Sequence, residues 1–193
     1  LDATLAVCVN ARDRGLDVVR LHSGESAIYG ATAEQMRGLD ELGIDYRVVP
    51  GISAFQAAAA TLRRELTPAE VSQSVIITRP AGRTPVPVHE ELETLAASRA
   101  TICIYLGTPQ TASVCARLTP FYGADCPAAL IYHASWPDER VVTGTLADLP
   151  QLVANAGIEK TALIIVGRAL AGGHARSKLY DAAFTHEFRR ADP

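Results

Sequence analysis

Short segments rich in β-branched residues alternate with helical segments along most of this chain. Such alternation is typical of an α/β fold, in which successive strands are joined by connections long enough to hold a helix. The predicted strands lie at 17–23, 45–49, 74–78, 101–106, 128–133 and 162–166. The predicted helices lie at 1–14, 31–42, 54–62, 89–97, 111–118 and 146–156. We therefore expect an α/β protein with parallel or mixed sheets, in which a further strand at 140–145 pairs as an antiparallel hairpin with 130–133.

A break in the apolar pattern predicts a domain boundary. Between residues 63 and 72 the sequence brings Glu65, Pro68 and Glu70 close together, and no apolar periodicity continues through them. The predicted parts are the latter portion of an N-terminal domain at 1–66, a C-terminal domain at 67–170 and a polar tail at 171–193.

Charge and composition exclude several classes of protein. The net charge of −3 argues against a nucleic-acid-binding domain, which normally carries a basic excess. No apolar run approaches the length of a membrane span, and the first residues lack the basic flank of a signal peptide. The 18 basic residues are 16 arginines and two lysines, a skew explained either by coding bias or by arginine forks that bind carboxylates.

The cysteines point to a reducing compartment. Cys8, Cys103, Cys115 and Cys126 form no CxxC pair and no cluster with histidines. That spacing argues against both a zinc site and a disulfide framework. We expect a cytoplasmic protein without a bound metal.

Small residues follow three of the predicted strands: SGE at 23–25, PGIS at 50–53 and LGT at 106–108. Glycine lets a backbone approach a ligand closely, and Ser53 also precedes a predicted helix. One glycine at a strand end is usually only a turn. Ligands of open α/β sheets bind beyond the carboxyl ends of the strands, however, so the three loops together predict a small-molecule site.

These loops belong to longer strings that resemble the tetrapyrrole methyltransferases of the cobalamin pathway. HSGESAIYGA at 22–31 resembles the GDPxxYG segment of that family, and VPGISAFQAA at 49–58 resembles its second cofactor loop. YHASWPDE at 132–139, followed by GTL at 144–146, is similar to the members that methylate precorrin-4 or cobalt-precorrin-4 at C11. The resemblance runs from about residue 17 to residue 168, which is most of the chain.

The resemblance implies a two-domain tetrapyrrole methylase fold that binds S-adenosylmethionine between its domains, usually in a homodimer. S-adenosylhomocysteine would be the product of that cofactor. The aspartate of the family's GDP segment is replaced here by Glu25, which keeps the charge on a longer side chain, unless Glu25 is only a solvated loop acid. The implied cofactor-binding residues are Ser23, Gly24, Glu25, Ser53, Ala54, Tyr105, Leu106, Ala134, Ala162 and Leu163.

The implied reaction transfers a methyl group to ring carbon 11 of precorrin-4, a tetrapyrrole with many carboxylates. No metal is required, because a methyl group on a sulfonium is already electrophilic. The candidate substrate-binding residues are Arg79, Arg83, Arg140 and Trp136, the last of which is alternatively a packing residue. A proton must leave, and the general base is unknown. The candidates are His22, Tyr29 and His133, each of which alternatively satisfies only a local hydrogen bond.

The start of the chain departs from the family pattern. The family opens with a GxGPGD loop, and no GxG occurs before Gly24. We expect the N-terminal domain to be incomplete here, because a parallel sheet without its first strands would expose apolar edges. One alternative is a methylase of uroporphyrinogen III or of another precorrin, which should lack ASWPDE. The other is a non-catalytic tetrapyrrole-binding module, if the shortening is genuine.

Overall fold

The computed structural model describes residues 1–173 together with 184, 185 and 190, so most of the predicted tail at 171–193 lies outside the described residues. The chain divides into two compact units, Leu1–Gln56 and Ala57–Pro193. The boundary predicted at 66/67 falls inside the second unit, and the assignment of domains stays a prediction.

The first unit is helical. It contains α1 (Asp2–Asp13), α2 (Thr32–Glu41) and the first turn of α3 (Ala54–Leu62), which continues into the second unit. The helices predicted at 1–14, 31–42 and 54–62 are therefore confirmed. Helices α1 and α2 meet at Gly38, where an added Cβ would lie 2.5 Å from a methyl group of Leu5. A residue with a Cβ at this position would require the Leu5 side chain to shift.

The strands predicted at 17–23 and 45–49 are wrong, because residues 1–56 contain no strand. Both segments run without a neighbouring strand to receive their backbone N–H and C=O groups. Their apolar side chains remain in solvent: Val19, Leu21 and Val49 are 79%, 78% and 68% exposed. A β-branched run specifies a strand only where another strand pairs with it, since β propensity largely measures packing against neighbours.

The second unit is built on one mixed sheet. Its strands are β1 (Val75–Thr78), β2 (Thr101–Ile104), β3 (Pro127–Tyr132), β4 (Arg140–Thr145) and β5 (Ala162–Val166). They lie in the order β1-β2-β5-β3-β4. The pair β1 and β2 is parallel, whereas β5 is antiparallel to both β2 and β3, and β3 forms an antiparallel hairpin with β4. The predicted strands of this part, the hairpin and the mixed α/β class are confirmed.

In the described part of the second unit, α3 is followed by α4 (Leu92–Ala96), α5 (Thr111–Tyr122) and α6 (Leu149–Asn155), which accompany the sheet. Single 3₁₀ turns lie at Val88–Glu90, Thr108–Gln110 and Arg168–Leu170. Helix α5 extends beyond the predicted 111–118 and contains Pro120, whereas the helix predicted at 89–97 is a 3₁₀ turn and a short α-helix separated by extended Glu91. No helix in the described part of the chain has the length and apolar character needed to cross a membrane.

The central strands are buried on both faces. Ile102, Ile104 and Ile164 point toward the helices and pack against residues of α4, α5 and α6. Cys103 and Ile165 alternate with them on the opposite face, and both are fully buried. The sequences of these strands are therefore nearly continuous apolar runs, as burial on both faces requires.

The topology brings many loop residues to one edge of this sheet. Strand β5 runs against β2 and β3, so its first residues lie beside the last residues of its neighbours. The register pairs Tyr132 with both Ala162 and Arg140, and Ile104 with both Thr78 and Ile164. The carboxyl ends of β1, β2 and β3 and the starts of β4 and β5 consequently share one edge, which we call the site edge.

Replacing Ile164 by Ala should destabilise the second unit by about 2–5 kcal/mol, because it leaves a cavity beneath α5 in a fully buried strand. Val141→Ala, on the exposed side of edge strand β4, should change the free energy of unfolding by less than about 0.5 kcal/mol. Urea denaturation of both variants measures the difference, and equal losses would contradict the burial described here.

Candidate active site

The two predicted cofactor loops of the first unit lie against each other. An added Cβ on Gly51 would lie 2.6 Å from the carbonyl oxygen of Gly24, and one on Gly24 would lie 3.4 Å from the carbonyl oxygen of Ile52. Backbones approach this closely only where glycine removes the side chain. The structure therefore brings the loops at 23–25 and 50–53 together, as expected of one site.

Glu25 joins these two loops. Its Oε1 accepts a hydrogen bond of 2.9 Å from the N–H of Ala27, and its Oε2 accepts one of 2.9 Å from the N–H of Gly51. The two backbone donors lower the pKa of Glu25 below its ordinary value of 4.5. The carboxylate is thus a brace between loops rather than a freely solvated acid.

Ser53 immediately precedes α3 and is buried. It is 3% exposed, and its N–H donates a 3.0 Å hydrogen bond to Oε1 of Gln56. This contact is one half of a capping box, in which the residue three positions into the helix returns to the cap. The hydrogen bond gives the backbone N–H of Ser53 a partner. It also fixes the direction in which the chain passes from the loop into α3 at Ala54.

In the second unit the implied cofactor positions lie at the site edge. Tyr105 follows β2 and donates its N–H to the carbonyl of Thr78 at 2.8 Å. Leu106 adopts a left-handed backbone with φ of 55°, and its side chain is 67% exposed. Gly107 then packs so tightly that an added Cβ would lie 2.9 Å from Cγ2 of Ile104. The turn after β2 is therefore held in one geometry.

Thr108 connects this turn to the start of β5. Its hydroxyl donates a 3.1 Å hydrogen bond to the carbonyl oxygen of Ala162, and the residue is 5% exposed. Leu163, the next implied cofactor position, is 4% exposed and its side chain belongs to the interior. At this position only the backbone is available to a ligand.

The loop between β3 and β4 carries Ala134 and is closed by hydrogen bonds. The N–H of Trp136 donates to the carbonyl of His133 at 2.9 Å, and the N–H of Ser135 donates to Oε2 of Glu139 at 2.7 Å. The same carboxylate oxygen accepts a 2.9 Å hydrogen bond from the hydroxyl of Thr61. Loop residues 133–139, the HASWPDE segment, are therefore preorganised.

The imidazole of His133 lies at the centre of an aromatic and charged cluster. It stacks on Tyr132 with ring centroids 3.7 Å apart, and Trp136 is tilted against it at 4.9 Å. Nδ1 lies 3.0 and 2.9 Å from the two carboxylate oxygens of Asp138, and this contact lowers the pKa of Asp138. The guanidinium of Arg140 lies 4.7 Å from the centroid of the Tyr132 ring.

The candidate substrate arginines have different surroundings. Arg79 donates to three carbonyl oxygens of its own loop, those of Pro80, Thr84 and Pro85, at 3.3, 3.1 and 2.8 Å. It shapes the loop at 79–85, whose exposed tip carries Arg83. Arg140 donates to the carbonyl of Ala156 at 2.9 Å.

The structure brings some of the predicted residues together and leaves others apart. His133, Trp136 and Arg140 share one cluster at the site edge, with Trp136 57% exposed. His22 and Tyr29 belong to the first unit, where His22 is half-buried and Tyr29 is 47% exposed. The candidate bases therefore do not form one group within either unit.

Sequence reasoning missed Asp138, Glu139 and Thr108. Asp138 contacts the ring of His133 across five residues, and Glu139 reaches Ser135 across four. Neither contact is made within a helix or a strand, because the segment is a loop that turns through left-handed residues. The available signal was the pair of acids that follows the proline in ASWPDE.

Among the described residues no group of three or more His, Cys, Asp or Glu side chains is arranged to hold a metal ion. Burial raises the pKa of Cys103 to about 12 and that of Cys115 to about 11, so both thiols stay protonated at neutral pH.

Comparison with known proteins gives one consistent result. The family model of tetrapyrrole (corrin/porphyrin) methylases matches residues 2–150. The chain is 50% identical to a precorrin-4 C(11)-methyltransferase of Pseudomonas aeruginosa, over 98% of this chain and 76% of that protein. It is 48% identical to a cobalt-precorrin-4 C(11)-methyltransferase of Methanocaldococcus jannaschii, over 99% and 74%. An X-ray structure of a cobalt-precorrin-4 methyltransferase superposes with a TM-score of 0.86 at 39% identity, covering 88% of this chain and 72% of that one.

The Glu25 brace should weaken in acid. Because the folded pKa lies below the ordinary 4.5, the carboxylate stabilises the paired loops above that pH, and this contribution disappears as the pH falls through the folded pKa. The amide ¹H shifts of Ala27 and Gly51 should titrate together with a midpoint below 4.5. Glu25→Gln should abolish the titration and Glu34→Gln, on exposed α2, should leave it unchanged; a midpoint at or above 4.5 would refute the brace.

Proposed function

Because this chain belongs to the tetrapyrrole (corrin/porphyrin) methylase family, we propose that it transfers a methyl group from S-adenosylmethionine to C11 of precorrin-4 or cobalt-precorrin-4. One observation carries the proposal: the ASWPDE loop, similar to that of the C11 methylases, lies at the same sheet edge as the implied cofactor positions after β2 and before β5. Relatives at 48–50% identity named for C11 methylation favour this activity over methylation of uroporphyrinogen III or another precorrin.

We propose that each unit contributes its own residues to cofactor binding. In the first unit these are the loops braced by Glu25, with Ser23, Gly24, Ser53 and Ala54. In the second unit they are the residues of the site edge, Tyr105, Leu106, Ala134, Ala162 and Leu163. Close backbone approach in the first set and buried Leu163 in the second both favour recognition through backbone N–H and C=O groups. S-adenosylhomocysteine would occupy the same groups as product.

The methyl donor supplies an electrophilic carbon on a sulfonium sulfur. The contribution of this chain is then mainly positioning, since holding two reactants in line removes much of the entropic barrier. Left-handed Leu106 and the tightly packed Gly107 hold the turn after β2 in one conformation. The closed loop at 133–139 does the same on the opposite side of β5. Contacts within the chain therefore define the shape of both surfaces.

We propose that the tetrapyrrole is bound through its carboxylates and the edge of its macrocycle. Arg83 and Arg140 offer guanidinium groups near the site edge, and Arg79 acts through the shape of the loop that presents Arg83. Exposed Trp136 offers an aromatic surface beside them. Planar guanidinium forks match carboxylates in bidentate geometry, so this set suits a polycarboxylate substrate. The homodimer and the cytoplasmic location stay predictions.

A methyl-transfer assay tests the function. Wild-type protein with labelled S-adenosylmethionine and either precorrin-4 or cobalt-precorrin-4 should yield a product whose new methyl group maps to C11 by NMR. Gly51→Ala should lower kcat/KM for S-adenosylmethionine at least tenfold, because the added Cβ meets the Gly24 carbonyl. Gly82→Ala, whose Cβ would lie 3.8 Å from the nearest side chain, should leave it unchanged. Binding of the tetrapyrrole without methylation would instead indicate a binding module.

Arg83 should contribute to tetrapyrrole binding alone. Removing its charge in Arg83→Gln should raise KM for the tetrapyrrole about tenfold, since a hydrogen bond to a charged group contributes about 1.5 kcal/mol. KM for S-adenosylmethionine and kcat should not change. Arg99→Gln serves as the control, because Arg99 precedes β2 and lies at the opposite end of that strand. An unchanged tetrapyrrole KM in Arg83→Gln would remove Arg83 from the site.

A further inference from the structure

Asp138 holds the His133 imidazole by one of its two nitrogens. Both carboxylate oxygens lie within 3.0 Å of Nδ1, which is the distance of a charge-assisted hydrogen bond. A carboxylate can only accept, so Nδ1 must carry the proton. In the neutral ring this leaves Nε2 with a free lone pair. The contact therefore selects one tautomer of the imidazole.

The remaining contacts of His133 fix the plane of the ring but do not use Nε2. Tyr132 stacks on it with an interplanar angle of 16°, and Trp136 lies against it at 4.9 Å. Within the described residues Nε2 makes no hydrogen bond, and none of their buried side-chain polar atoms lacks a partner. Nε2 is consequently accessible to solvent, although the side chain of His133 as a whole is only 17% exposed.

Two residues of this loop adopt a backbone conformation that is costly for residues other than glycine. His133 and Ser135 both adopt left-handed conformations, with φ of 49° and 71°. Glu139 fixes the second of them through the N–H of Ser135. Strained residues that the surrounding contacts over-determine cluster at functional sites, where they aim a side chain. Here the side chain that they orient is the imidazole of His133. It lies beside Ala134, an implied cofactor position at the site edge.

We propose that Asp138 is a positioning residue, which holds His133 so that Nε2 takes the proton released when the tetrapyrrole is methylated. This inference rests on the proposed function and assigns the base that the sequence left open among three candidates. His22 and Tyr29 lie in the other unit. The choice of His133 depends on the contact that Asp138 makes with its ring.

The proton transfer balances with the methyl transfer. The C–S bond breaks with its electron pair left on sulfur, and the new C–C bond forms from an electron pair of the macrocycle. The macrocycle then carries one positive charge, which it loses as a proton to Nε2. The resulting imidazolium keeps its Nδ1–H on the Asp138 carboxylate, and solvent-accessible Nε2 returns the proton to water.

The test combines kinetics with the tautomer of His133. Asp138→Asn should lower kcat by tenfold or more and leave both KM values within about twofold, because a general base contributes about 10²–10⁴-fold to the chemical step and little to binding. Nitrogen-15 shifts of the His133 ring in the whole protein should report an unprotonated Nε2 in the wild type. In Asp138→Asn the same nitrogen should gain protonated character, and Asp138→Glu should restore part of both readouts.

The control is Asp125→Asn, which removes an exposed carboxylate paired with Arg168 at the far end of β3 and should leave kcat and the His133 shifts unchanged. In a His133→Ala background, adding Asp138→Asn should cause no further loss of kcat, since a positioning residue acts only through its partner. An unprotonated Nε2 in the wild type with unchanged kcat in Asp138→Asn would overturn the inference and leave the function intact. An inactive wild type that fails to bind S-adenosylhomocysteine would overturn the function, and the inference with it.

Discussion

Strand β5 runs antiparallel between β2 and β3, and this placement brings its first residues to the site edge, beside the carboxyl ends of both neighbours. Its first residue lies beside the last residue of β3, and its third lies beside the last residue of β2. If β5 were parallel to its neighbours, Ala162 would start at the far edge, away from Tyr105 and the loop at 133–139. A shift of one residue would exchange the side chains on its two faces, so the close packing of Ile164 on one face and Ile165 on the other opposes it.

Much of the second unit was predictable from the sequence. Most of its strands are apolar runs, and each of them has a neighbouring strand with which it pairs. The predicted hairpin of β3 and β4 forms, and its register places Arg140 against Tyr132. The segments at 17–23 and 45–49 also contain β-branched residues but have no neighbouring strand, so the strands predicted from their composition do not form. Strand formation depends on a partner, and a local pattern carries no information about that partner.

The site was predictable as a set of loops but not as a set of contacts. Motif resemblance located Glu25 without indicating that its carboxylate reaches Gly51, twenty-six residues away. The same approach treated Arg79 as a substrate contact, although its guanidinium turns back onto the carbonyls of its own loop. Such contacts depend on the path of the backbone through turns. In a turn the spacing of residues along the sequence does not predict which side chains meet. In Glu25 the longer side chain gains a use, since it spans two loops at once.

The left-handed residues at the site edge also restrict which substitutions this sequence can accept. Leu106, His133 and Thr161 each occupy a backbone region that β-branched residues strongly disfavour, and Thr161 is itself β-branched. Selection at such positions acts on the main chain, so glycine or asparagine is an easy replacement while valine or isoleucine is not. Related sequences can therefore carry different amino acids at these positions and keep the same backbone conformation. Conservation scores would underrate these positions for that reason.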